Sequence, residues 1–109
     1  MELSEREKIA LKRFRVALEE VFTNNLIEIK LFGSKARGEG RNDSDLDMLV
    51  VISSDDWRIC DVVYGIATDI LLEYEVCISP KTLRQEEYIH LNNIGSTFIK
   101  NVVRDGIQV

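Results

Sequence analysis

A chain of 109 residues with 14 Lys+Arg against 19 Asp+Glu has a formal net charge of −5, which argues against a protein that lives by coating nucleic acid, since phosphate binding needs a basic footprint. With 45% apolar and 30% charged residues it reads as one ordinary globular domain, 1–109, neither disordered nor fibrous. No apolar run approaches the roughly 20 residues of a bilayer span, and the charged start has no apolar secretory core, so a soluble, cytoplasmic protein is expected.

In chain order, residues 4–22 carry Ile9, Leu11, Phe14, Val16, Leu18, Val21 and Phe22, much of that set at helical spacing, and Ser4 with Glu7 forms a candidate capping box. Asn24-Asn25 break that helix. Residues 26–32 alternate apolar and polar side chains, which predicts a strand running straight into Gly33-Ser34. The segment 35–44 is polar, holds Gly38 and Gly40, and ends in the turn formers Asn42-Asp43-Ser44. A second strand covers 45–52, opening with alternation and becoming continuously apolar, as a central strand does. Ser53 or Ser54 is the expected cap of a helix reaching Leu72, with Trp57, Ile59, Val62, Val63, Ile66 and Ile70 on its apolar side. A third strand is expected over 73–78, stopped by Ser79-Pro80. Pro80 then opens a helix carrying Leu83, Tyr88 and Leu91. A last helix over 96–104 ends at Asp105-Gly106, with the glycine in the left-handed C-terminal position. The expected class is α/β (α+β), a small mixed sheet flanked by helices.

Cys60 and Cys77 form no CxxC pair, and His90 is the only histidine, so a structural zinc site is excluded. Both thiols read as small buried hydrophobes and His90 as a surface or packing residue.

The informative stretch is 31–51. Gly33-Ser34, at the end of a strand where a short helix begins, lets backbone approach an oxyanion while hydroxyl and free N–H groups donate to it. Lys35 and Arg37 place positive charge at the same spot, and together these residues describe a polyphosphate cradle. Asp45 and Asp47, at i and i+2 on a strand, point to one face. Their mutual repulsion is relieved by a divalent cation, and an oxygen-only set that borrows substrate phosphates suits Mg²⁺. A third carboxylate would complete a two-metal site for phosphoryl or nucleotidyl transfer. The stretch 73–78 offers Glu73 and Glu75. Glu75 is preferred, because an inward-facing carboxylate between Tyr74 and Val76 would be desolvated without a cation.

Gly33-Ser34, ten intervening residues and Asp45-Leu46-Asp47 resemble the signature of the minimal nucleotidyltransferases, a branch of the DNA polymerase β-like superfamily. Ala36-Arg37-Gly38 and Ser44-Asp45-Leu46-Asp47 fit that branch closely, and 101–107 looks like its C-terminal helix and strand. The resemblance covers nearly the whole chain and implies a polymerase β-like nucleotidyltransferase fold. It makes Asp45, Asp47 and Glu75 catalytic metal ligands for two Mg²⁺ ions, although the family's third position more usually holds Asp. It makes Gly33-Ser34 the triphosphate grip, and with Lys35, Arg37 and Ser44 these form the expected nucleotide-binding set. The family's minimal members are commonly paired with a helical HEPN-type protein in toxin–antitoxin modules, and some transfer AMP from ATP to a tyrosine of that partner. The leading expectation is therefore an adenylyltransferase acting as an antitoxin on a protein acceptor, with oligomers possible. A non-catalytic module that neutralises its partner by docking and a small-molecule nucleotidyltransferase are the alternatives.

Overall fold

The computed structural model describes residues 3–39 and 44–109; the expected turn at Asn42-Asp43 and the glycine at Gly40 lie outside the described residues. Helix α1 spans Glu5–Phe22. The expected capping box forms: Glu7 N–H donates to Ser4 Oγ at 3.1 Å, and Ser4 N–H donates to Glu7 Oε1 at 2.9 Å. The stripe Ala10, Leu11, Phe14, Leu18 and Phe22 is buried, as a helical period against a core requires. A 3₁₀ turn over Thr23–Asn25 leads to β1 (Leu26–Phe32), the single turn α2 (Gly33–Ala36) and β2 (Leu46–Ile52). Then come α3 (Ile59–Tyr74), β3 (Ile78–Arg84), α4 (Gln85–Asn93), α5 (Thr97–Asp105) and β4 (Ile107–Gln108).

The strands form one mixed sheet in the order β3-β2-β1-β4. β1 runs antiparallel to β2 and β4, whereas β2 and β3 are parallel. Every β2 residue except Asp47 is buried, the mark of a strand covered on both faces. Alternation divides its side chains. Leu46, Met48, Val50 and Ile52 join Phe14, Val63 and Ile70 of α1 and α3 in the larger core. Leu49 and Val51 join Leu83, Ile99 and Val102 beneath α5 in a smaller one. The Phe32 and Phe98 rings meet edge to face at 5.2 Å on that second side. The result is the expected small mixed sheet between helical layers. No helix of the described residues is long and apolar enough to cross a membrane.

Several boundaries differ from the sequence expectation. α3 begins at Ile59 rather than after Ser53 or Ser54, because Asp56 accepts from Arg58 N–H at 2.9 Å and pairs with its guanidinium at 2.9 Å, closing a turn first. Trp57 therefore stays outside the helix, 80% exposed. The third strand lies further along the chain: Glu73 and Tyr74 end α3, Glu75 caps it with φ 57°, and pairing starts only at Ile78. Pro80 lies within β3, which a sheet edge tolerates because no neighbour needs its missing N–H. Leu83 is consequently a core strand residue. Gly106 has φ −67° and is not left-handed. Both cysteines are exposed instead of buried.

A residue other than glycine held at φ 57° is strained. Glu75→Gly is therefore expected to raise stability by about 0.5–1 kcal/mol in thermal melting. Its exposed contact with Arg6, 3.7 Å long, is worth little against that gain.

Candidate active site

β1 ends where β2 begins, with Phe32 paired to Asp47. The next residue, Gly33, has φ 76°, a left-handed backbone suited to glycine. A Cβ built on it would collide with Asp47 Oδ2. The chain thus turns with its bare backbone against the Asp47 carboxylate. α2 follows as one turn, fastened by Arg37 N–H to Gly33 O at 3.3 Å and Glu39 N–H to Ser34 O at 2.9 Å. Ser34 is half-buried within it.

Asp45 is exposed and Asp47 half-buried, on the face of β2 that carries Leu49 and Val51. Burial and then the charge of Asp45 raise the Asp47 pKa, with Arg37 acting the other way. Arg37 is exposed and its Nε lies 3.0 Å from Glu39 Oε2. It is the cation of the expected cradle that faces the carboxylates. Ser44, half-buried, precedes the pair and lines a cavity of about 500 Å³ with Arg6, Glu75 and Cys77.

Two members of the expected site are placed elsewhere. Lys35 is only 4% exposed, with Nζ 2.9 Å from Glu7 Oε2, so it is turned into the fold and not toward a phosphate. Glu75 does not join the aspartates on a strand: it ends α3, its side chain 83% exposed and aimed at Arg6. Glu73 is an exposed residue of α3.

The residue beside Asp45, just before β3, is Cys77. Leu46 pairs with Ile78 and Asp47 with Ser79, and Leu46 N–H donates to Cys77 O at 3.0 Å. Partial burial, then a hydrogen bond to Asp45 and the charge of that carboxylate, push the Cys77 thiol pKa up, so it stands as an S–H donor. The sequence reading missed this position because it set the strand too early. The alternation of Cys77 and Ser79 about Ile78 was the available signal.

Two adjacent carboxylates fit one hard divalent cation that completes its shell with water and nucleotide phosphates. Among the described residues no three His, Cys, Asp or Glu side chains gather closely enough to hold a metal ion.

Residues 17–109 match the family model described as polymerase beta, nucleotidyltransferase. A Methanocaldococcus jannaschii protein named as a candidate protein adenylyltransferase is 34% identical over 100 residues, covering 92% of this chain and 94% of its own. Among solved structures, one described as a candidate minimal nucleotidyltransferase superposes with a TM-score of 0.61 at 22% identity over 97% of each chain. A chain from a toxin–antitoxin structure with AMP-PNP gives 0.58 at 20% identity, over 87% of this chain and 68% of that one. At these identities the structural matches speak for the fold.

Asp47→Asn tests the carboxylate pair. A carboxyl whose folded pKa lies above its ordinary 3.8 lowers stability once ionised, and that penalty vanishes when both states are protonated. The variant is expected to melt about a few degrees above wild type near pH 7. The advantage should disappear as pH falls through the raised pKa toward 3; an unchanged or lower melting temperature at pH 7 contradicts the reading.

Proposed function

The chain belongs to the polymerase beta nucleotidyltransferase family, and on that basis we propose that it transfers AMP from ATP, with Mg²⁺, to a hydroxyl of a partner protein, as the antitoxin half of a HEPN-type module in the cytoplasm. The single observation that carries the reading is the bare Gly33 backbone packed on Asp47 with Asp45 beside it. That arrangement puts a backbone able to approach phosphate directly against carboxylates able to hold a cation. The candidate protein adenylyltransferase named above supports a protein acceptor, and the toxin–antitoxin neighbour with its ATP analogue supports both a partner and the nucleotide.

The roles follow from charge and reach. Gly33 and Ser34 take the terminal phosphates, the serine hydroxyl donating to an oxygen as pyrophosphate departs. Arg37 adds positive charge on that side. Asp45 and Asp47 would hold Mg²⁺, which when bound neutralises the phosphates and favours the ionised acceptor. The acceptor hydroxyl gives up its proton to solvent as its oxygen attacks the α-phosphorus in line, the bond to the bridging oxygen breaks, and pyrophosphate leaves. Ser44 borders the adjoining cleft of about 500 Å³. A net charge of −5 disfavours a nucleic-acid acceptor.

The position of Cys77 favours a second reading, in which the protein neutralises its partner by docking without transfer. A thiol held as a hydrogen-bond donor to Asp45 is no substitute for a third carboxylate.

Incubation with α-labelled ATP, Mg²⁺ and the neighbouring HEPN-type protein distinguishes them. The first reading expects label on the partner, at least about a hundredfold less with Asp45→Asn, and more with Cys77→Asp, which supplies the missing carboxylate. Docking alone is established if the complex forms without label and Asp45→Asn protects against the partner's toxicity as well as wild type.

A further inference from the structure

Lys35 is the one charged residue in the buried class among the described residues, with 1% of its side chain accessible. It sits inside the α2 turn, between the Gly33-Ser34 backbone and Arg37. Its partner is the carboxylate that closes the start of α1: Glu7 Oε1 accepts from Ser4 N–H at 2.9 Å while Glu7 Oε2 lies 2.9 Å from Lys35 Nζ. One carboxylate therefore caps the long helix with one oxygen and holds the short turn with the other. The pair also stands between two cavities. Lys35, with Lys8, Leu11 and Ala36, lines one of about 670 Å³, whereas Glu7, with Arg6, Ser44 and Cys77, lines the cleft of about 500 Å³.

A buried ion pair is weak evidence for stability, because desolvation cancels much of the attraction. Its directional value is another matter. Gly33 fixes one side of the turn against Asp47, and the hydrogen bonds to Gly33 O and Ser34 O close the turn on itself. Lys35 fixes the other side against α1, which is itself held by its buried stripe.

We propose that the Lys35–Glu7 ion pair is a latch that sets the position of the Gly33-Ser34 turn for nucleotide, so that Lys35 and Glu7 are positioning residues rather than ligands. The proposal rests on the nucleotidyltransferase reading above for its consequence, but the latch itself can be measured without nucleotide.

The discriminating variant is Glu7→Gln with Lys35→Met. Gln retains the capping box, and the exchange removes both charges together, which a merely stabilising pair tolerates well. The readouts are thermal melting, amide hydrogen exchange across the chain, and calorimetric binding of ATP with Mg²⁺. Melting is expected to stay within about five degrees of wild type. Amides of 33–38 are expected to exchange about tenfold faster while those of β2 stay unchanged, and the Kd for ATP to rise about tenfold. Lys35→Arg, which keeps a charge able to pair with Glu7, is expected to restore most of both effects. Unchanged exchange at 33–38 overturns the latch. So does faster exchange spread evenly over the molecule with a matching fall in melting temperature, or faster exchange at 33–38 with an unaltered Kd. If wild type binds no ATP, the functional reading fails, and exchange at 33–38 alone decides whether the pair holds the turn.

Discussion

The shared end of β1 and β2 can be built only because residue 33 has no side chain. Gly33 adopts φ 76° with its backbone against the Asp47 carboxylate, where a Cβ would collide. Antiparallel pairing of Phe32 with Asp47 brings the two strand ends to one place. The contact then requires glycine there, and the turn that follows inherits its position from it. Every residue of β2 but Asp47 is buried, so the strand that leads on from the carboxylates cannot easily shift. A rigid strand, a bare backbone and two carboxylates are thus one construction.

Much of this was legible in the sequence because it rests on local chemistry. The Ser4–Glu7 capping box, the alternation of β1 and the apolar run of β2 are all set by neighbours within a few residues. The association of Gly33-Ser34 with Asp45 and Asp47 was legible instead from the ten-residue spacing of the motif and its family resemblance. What sequence spacing could not supply was direction. Lys35 and Arg37 look alike beside a glycine-serine turn, yet only Arg37 faces the carboxylates; Lys35 finds Glu7 across 28 residues of chain. Periodicity cannot report that, because the choice depends on the fold bringing the start of α1 within reach of the turn.

The displacement of the third strand has a related cause. Val76, Cys77 and Ile78 read as a strand core, but α3 continues through Tyr74 and Glu75 must turn the chain in a left-handed conformation. A non-glycine residue in that role carries no sequence signal. Pro80 reinforced the error, since proline more often opens a helix than sits in a strand, and only the edge position of β3 admits it. The register that results, with Cys77 across from Asp45, is a tertiary fact.

Electrostatics gives that register its meaning. Asp47 is pushed up first by burial and then by Asp45, and the opposing guanidinium of Arg37 also lies against Glu39. The protein therefore holds two like charges together with little relief from its own side chains. A carboxylate at position 77 would make the empty site still more repulsive, whereas the Cys77 thiol donates a hydrogen bond to Asp45 and adds no charge. The arrangement lowers the cost of standing empty and, by the same step, weakens the attraction for a second cation. Metal binding and folding thus make opposite demands on position 77. With cysteine there, the balance lies toward the empty fold.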